Sequence, residues 1–92
     1  MGAQEICAKL SDTIEQISLL LTELQKECPP DHQIVINEFV QRLTCTRDDL
    51  KRISFLHPHE MAIFAGRVVE AMGIIEDTTK YINTIQQYLF KQ

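Results

Sequence analysis

The segment ICAKLSDTIEQISLLLTEL, residues 6–24, repeats apolar side chains at alternating steps of three and four. Because an α-helix has about 3.6 residues per turn, these steps place the side chains on one side of a helix. Two later segments keep the same spacing. The three apolar stripes are Ala3, Cys7, Leu10, Ile14, Ile17, Leu21, Leu24 and Cys28; Ile36, Phe39, Leu43, Thr46, Leu50 and Ile53; and Met61, Phe64, Val68, Ala71, Ile75, Thr78, Ile82, Ile85 and Leu89. This pattern predicts an all-α fold.

Two proline-bearing breaks separate the stripes, at Cys28-Pro29-Pro30-Asp31 and at His57-Pro58-His59-Glu60. Proline cannot donate to the helical hydrogen-bond ladder, but it is well suited to the first turn of the next helix. We therefore predict helices over about residues 3–27, 32–55 and 58–90, with Asp31 or Cys28 capping the second. Short connections make consecutive helices antiparallel, so residues 1–92 are expected to form one domain, an antiparallel up-down-up three-helix bundle.

A four-helix bundle is the alternative, because Thr44, Cys45 and Thr46 form a weak point in the second helix. β-Branched threonines lower helix propensity, and Thr46 with Asp49 imitates a capping box. The apolar stripe keeps its phase through this point, which favours three helices. We interpret Gly66 and Gly73 in the third helix as points of close packing. The threonines in the stripes are expected to bond carbonyl groups of their own helices.

Charge and composition exclude several classes of function. The net charge is −4, and the nine basic residues are spread over all three helices. Nucleic-acid binding needs positive charge focused on one surface, so it is not expected. No apolar run is long enough to cross a bilayer, so membrane insertion is not expected. Three cysteines, an odd number, fit a reducing compartment, and we predict a cytoplasmic protein.

No catalytic, cofactor or metal motif is present. The sequence has no nucleophile elbow, no phosphate-binding glycine loop and no H-E-x-x-H. His57 and His59 lie at one break, whereas Cys28 and His32 lie at the other. These two breaks fall at opposite ends of the bundle, so neither end supplies a full set of metal ligands. We expect no enzyme activity, no cofactor and no metal site.

A protein-binding function is the remaining hypothesis, and it depends on apolar residues beside the core stripes. Ile74, Tyr81 and Tyr88 recur every seven residues of the third helix. Leu89 and Phe90 lie where this longest helix is expected to project beyond the others, and Leu19 lies off the stripe of the first. We predict that these residues bind an amphipathic helix or peptide, as in an adaptor or scaffold used in signalling.

Two other functions stay open at this stage. The first is histidine phosphotransfer through His57 or His59, although neither histidine is followed by the Lys-Gly pair typical of such domains. The second is structural homo-oligomerisation, in which the apolar stripes pair between copies, as in a homodimer.

Overall fold

The computed structural model describes residues 2–53 and 60–90, which form an all-α bundle of three packed helices. Helix α1 covers Ala3–Gln25, α2 covers Pro30–Lys51 and α3 covers Glu60–Phe90. The first helix therefore ends before residue 27, and the second starts at residue 30 rather than 32. The predicted end of the second helix at residue 55 and start of the third at 58 lie outside the described residues. Within those residues, α2 already ends at Lys51, with Arg52 as its C-cap.

The connection between α1 and α2 is held by an amide pair that the sequence pattern did not reveal. The Gln33 side chain donates to the carbonyl oxygens of Gln25 (3.2 Å) and Cys28 (3.0 Å). In return, the Gln25 side chain donates to the Gln33 carbonyl at 3.0 Å. The Gln25 carbonyl also accepts the Cys28 backbone N–H at 3.3 Å, so Gln33 adds a second bond at the end of α1 and one to the Cys28 carbonyl in the turn.

The start of α2 corrects the predicted cap. Its N-cap is Pro29, without a side-chain hydrogen bond, so neither Asp31 nor Cys28 caps the helix. Pro30 occupies the first helical position, where its fixed φ angle favours helix initiation and its missing N–H costs nothing.

The deepest core positions recur every seven residues in each helix. Each of these side chains is at most 8% exposed. They are Cys7, Ile14, Leu21 and Cys28 on and just after α1, Ile36, Leu43 and Leu50 on α2, and Ala71, Thr78 and Ile85 on α3. A strict seven-residue repeat is typical of coiled-coil packing, because it keeps one line of side chains facing the neighbouring helices along their whole length.

Both threonines on the stripes bond to their own helices, as predicted. Thr78 is 0% exposed, and its hydroxyl donates to the Ile74 carbonyl at 2.6 Å. Thr46 donates to the Arg42 carbonyl at 2.9 Å. Helix α2 continues through Thr44–Thr46, so the break required by the four-helix alternative does not form.

The glycines of α3 do not mark close packing within this chain, which corrects our interpretation. A Cβ atom added at Gly66 or at Gly73 would meet nothing within 4 Å. Both positions are exposed and helical, with no positive φ angle. Neither glycine is therefore required by the geometry of this bundle.

Two leucines on α1 allow a matched test of the core. Leu21 is 0% exposed, whereas Leu19 is 69% exposed. We expect Leu21→Ala to lower the free energy of unfolding by about 2–5 kcal/mol, because it leaves a cavity in a packed core. Leu19→Ala should change it by less than about 0.5 kcal/mol. Urea denaturation followed by circular dichroism measures both, and equal losses would contradict the assigned register of α1.

A second test concerns Gly73. Because its Cβ would occupy open space, Gly73→Ala should stabilise the folded chain by about 0.5–1 kcal/mol through higher helix propensity. The same denaturation experiment measures this gain. A destabilised variant would show that some part of the chain approaches Gly73 closely.

Candidate functional site

The tyrosines predicted to bind a partner instead pack against α2. The Phe39 and Tyr81 rings stack with their centroids 4.9 Å apart. His32 Nδ1 lies within hydrogen-bond distance of the Tyr81 hydroxyl, at 3.2 Å, and the His32 ring also lies 5.5 Å from that of Tyr88. Tyr81 is half-buried and Tyr88 is 47% exposed. Tyr81 is therefore part of the interface between α2 and α3, with Tyr88 at its edge.

The pKa of the Tyr81 hydroxyl reflects its position in the interface. Burial raises the pKa of its hydroxyl above the ordinary value of 10.0, and the nearby Cys28 thiolate adds to the effect. Burial likewise raises the pKa of the Cys28 thiol. Both groups are therefore neutral at physiological pH, so this end of the bundle offers no activated nucleophile.

The remaining predicted residues do not form one patch with the tyrosines. Ile74 is only 4% exposed, so it belongs to the core and not to the surface of this chain. Leu19 lines a hollow with Arg47, which places it between α1 and α2. Phe90 is 75% exposed, but residues two apart on a helix point about 160° apart, so it faces away from Tyr88. Leu89 is half-buried against the core.

Two of the three helix interfaces are bridged by polar side chains at their edges. Between α1 and α2, Glu15 lies 3.5 Å from Arg47 and 3.8 Å from Lys51. Between α2 and α3, Asp49 lies 3.5 Å from Arg67, in addition to the contact of His32 with Tyr81. Among the described residues we find no ion pair or side-chain hydrogen bond between α1 and α3. These two helices also pack together less extensively than the other pairs.

Helix geometry shows which α1 residues border this third interface. Glu15 marks the side of α1 that faces α2. Ile6, Leu10, Thr13, Ile17 and Leu20 lie about 140–180° around the helix from Glu15. Leu10 and Ile17 pack against the core, and Leu20 is 42% exposed. This row carries no charge.

The matching row on α3 is defined in the same way from Tyr81, which faces α2. Val68, Met72, Ile75 and Thr79 lie about 120–180° around the helix from Tyr81 in the direction of the core stripe, whereas Glu76 lies about 140° from Tyr81 in the opposite direction, next to Met72. Ile75 packs against the core, whereas Met72 is 59% exposed. Phe90 lies on the same side of α3 as Met72, so it continues this row toward the C-terminal end.

Together the two rows form a surface that we name the α1/α3 face. It comprises Ile6, Leu10, Thr13, Ile17 and Leu20 of α1, and Val68, Met72, Ile75 and Thr79 of α3. Its two threonine hydroxyls already donate to carbonyl groups of their own helices, Thr13 to Lys9 at 2.9 Å and Thr79 to Ile75 at 2.7 Å. The nine named residues therefore include no ionisable side chain, and the Glu76–Lys80 ion pair lies at their outer border, one turn beyond Met72.

The uncharged surface extends beyond this face onto the outer side of α3. Ala62, Ala65, Gly66, Val69 and Gly73 are all exposed, and Val69 is 70% exposed. From residue 76 onward the outer side becomes polar, with Glu76, Asp77 and Lys80. Apolar side chains are therefore exposed mainly in the first half of α3, and Phe90 is exposed near its C-terminal end.

Sequence reasoning missed this surface although a signal for it was present. Residues 61–75, MAIFAGRVVEAMGII, contain only two charged residues, Arg67 and Glu70. A helix that is apolar on all sides is typically buried on all sides. The sequence pattern favoured the tyrosines instead, because tyrosine is common at interfaces. The interface that contains Tyr81 lies between α2 and α3 of the same chain.

Potential metal ligands are not clustered in the described part of the chain. Residues 2–53 and 62–90 contain no group of three or more His, Cys, Asp and Glu side chains placed to hold a metal ion. No helix in these ranges combines the length and apolarity needed to cross a bilayer. His57 and His59, the candidates for phosphotransfer, lie outside the described residues.

No protein-family model matches the chain, and neither the curated proteins nor the solved structures provide a match.

The two tyrosines allow a test of their structural roles. Tyr81→Ala should lower the free energy of unfolding by about 2–3 kcal/mol, because the half-buried ring stacks on Phe39. Tyr81→Phe keeps the ring and removes only the contact with His32, so about 0.5–1.5 kcal/mol should be lost. The matched variant Tyr88→Ala should cost less than about 1 kcal/mol. Chemical denaturation measures the free energy of unfolding of all three variants. An unchanged value for Tyr81→Ala would contradict the placement of Tyr81 in the interface between α2 and α3.

Proposed function

We propose that this chain is a non-catalytic protein-interaction module of the adaptor or scaffold type, which binds a helical surface of a partner on its α1/α3 face. The observation that carries the proposal is that no ion pair or side-chain hydrogen bond among the described residues joins α1 to α3, in contrast to the polar bridges at the other two interfaces. Charged side chains are depleted at the centres of protein interfaces and abundant on ordinary surfaces.

The energetic argument depends on side chains that the chain itself leaves in water. Met72 is 59% exposed, Val69 is 70% exposed and Phe90 is 75% exposed, all on one side of α3. Burial of apolar surface contributes about 25 cal/mol per Å² removed from water, so these side chains can supply affinity to a partner. None of these three side chains carries a charge, so their own burial does not require the desolvation of an ion.

The predicted contact residues are revised accordingly. Phe90 remains in the proposed site, because it lies on the same side of α3 as Met72, whereas Leu89 lies about 100° around the helix and packs against the core. Tyr88 lies on the other side of the helix, and Leu19 lies between α1 and α2. In this proposal, Ile74 and Tyr81 stabilise the bundle and do not contact the partner.

The proposed compartment is the cytoplasm. Cys7, Cys28 and Cys45 are all free thiols, and Cys45 is exposed. Free exposed thiols persist in reducing compartments, where disulfides are rare.

Site-specific photocrosslinking tests the proposal in the cell of origin. A photoreactive amino acid at Met72 should give a discrete crosslinked product, because this position would lie inside the interface. The matched control is Ile34, which is 64% exposed on α2 and lies away from the α1/α3 face. Gel electrophoresis and mass spectrometry should detect the product with Met72 and not with Ile34. Equal products at both positions, or none at Met72, would contradict the proposal.

A further inference from the structure

We propose that the α1/α3 face binds a single amphipathic helix of a partner protein, with lysine or arginine along the edge that lies over α1. This inference rests on the proposed function, since it names the chemistry of the partner for the same surface. The packing of α1 against α3 and the charges beside the face both support this partner.

The packing of α1 against α3 is suited to one additional helix. In a three-helix bundle each helix lies against the groove between the other two, with axes about 8–10 Å apart. Helix α2 contacts both α1 and α3 in this way. On the face, Leu10, Ile17 and Ile75 are only partly buried against the core, and Leu20 and Met72 are 42% and 59% exposed. A helix of the partner can therefore lie between α1 and α3 and cover these side chains.

The length of the face fits a short helix. The α1 row extends from Ile6 to Leu20, which corresponds to about 21 Å along the helix axis. The α3 row extends from Val68 to Thr79, which corresponds to about 17 Å. A partner helix of about four turns matches these lengths, and apolar residues at steps of three and four would keep one of its sides on the face.

Helix α1 has the largest excess of acidic residues in the bundle. It contains four acidic residues and one basic residue, compared with four and three in α2 and four and two in α3. One of the four acidic residues of α1, Glu15, faces α2 and forms ion pairs with Arg47 and Lys51. The excess negative charge of α1 therefore belongs to its other three acidic residues.

These three acidic residues lie beside the face. Glu5, Asp12 and Glu23 lie about 60–80° around the helix from Glu15, between it and the α1 row. All three are exposed, and they are spread along nearly the whole helix. Among the described residues none of them pairs with another helix, and Glu23 pairs with the C-cap residue Lys26 at 3.5 Å. Such an exposed pair contributes about 0–1 kcal/mol, so Glu23 can exchange it for a cation of the partner.

Basic residues are fewer along the same border. Lys9 is the single basic residue of α1, and it lies about 120° around the helix from Glu15. At the α3 border, Glu76 and Lys80 pair at 3.2 Å and balance each other. The α1 border is therefore acidic and the α3 border is neutral, which is why we place the basic residues of the partner over α1.

Charge complementarity then distinguishes a basic helix from an acidic one. The chain has a net charge of −4, so it repels an acidic helix and attracts a basic one. Lysine or arginine at the rim of the interface increases the association rate and fixes orientation more than it adds affinity. The affinity would come from apolar side chains that cover Leu20 and Met72.

Three synthetic peptides of about four helical turns test the inference with the purified full chain. Two of them have leucine at steps of three and four, with lysine at the other positions of one and glutamate at those of the other. The third has the composition of the lysine helix without an apolar stripe. Fluorescence anisotropy at physiological salt should show the lysine helix binding at least about tenfold more tightly than either other peptide.

Matched charge variants test where the lysine helix binds. Asp12→Asn with Glu23→Gln removes two acidic groups beside the face and should weaken binding by about threefold to tenfold. Asp31→Asn with Glu38→Gln removes the same two groups from exposed positions on α2. This control should change binding by less than about twofold, because charges farther away than about 8 Å are largely screened at physiological salt.

Matched apolar variants test the face itself. Met72→Ser should weaken binding of the lysine helix by about fivefold to tenfold, because part of the buried apolar surface is lost. Ile34→Ser makes a similar change at an exposed site on α2 and should leave binding unchanged. Circular dichroism should show that all four variants remain folded, since every substituted position is exposed.

The outcomes separate this inference from the proposed function. Equal binding of the lysine and glutamate helices, no binding of the lysine helix, or equal losses from the two charge variants overturns the basic partner. The photocrosslink at Met72 tests the proposed function separately. A crosslink to a segment without basic residues beside its apolar stripe retains the proposed function and overturns this inference. If Met72 gives no crosslink at all, the proposed function fails as well.

Discussion

The seven-residue repeat of buried side chains determines how the three helices face one another. Leu21, Leu43 and Thr78 are each 0% exposed, although they come from different helices. When every helix directs one line of residues to a common axis, its remaining sides are set by helix geometry. The positions of Glu15, Asp49 and Tyr81 between helices follow from that register. The absence of charge between α1 and α3 follows from it too, because the residues that reach this interface are aliphatic or threonine.

The three interfaces of the bundle therefore differ in chemistry. Surface ion pairs such as Glu15–Arg47 contribute little stability, about 0–1 kcal/mol each, so their importance here is in the solubility of the surface that they create. They place charged side chains along the edges of the α1–α2 and α2–α3 contacts. Among the described residues no ion pair joins α1 to α3, and the exposed side chains of the α1/α3 face lie next to the core instead of being scattered singly. This contrast within one small bundle is stronger evidence for an interface than any exposed leucine alone.

The sequence was sufficient to predict the fold and insufficient to predict the site. Helix number, order and approximate limits follow from spacing and from prolines, which act locally. The capping of α1 by Gln33 was not predicted, because it joins residues eight apart across a turn whose geometry spacing does not specify. Tyr81 was assigned to the surface for the same reason: periodicity places it beside the core stripe, but only the packed structure shows Phe39 beneath it. The apolar outer side of residues 62–73 could be predicted from composition, because this segment contains only two charged residues, Arg67 and Glu70.

Helix α3 therefore buries one side within the bundle and exposes apolar side chains on another side of the same segment. Ala71 and Thr78 bury one side within the bundle, whereas Val69 and Met72 expose the other. A helix of this kind lowers the free energy further when both sides are covered, and α1 covers α3 without the polar bridges found at the other interfaces. An occupant of the α1/α3 face would contact both helices and so add stability where the chain has the least of its own. Because such an occupant binds only the folded bundle, mass action links binding to folding, and the stability of the chain then depends on its partner.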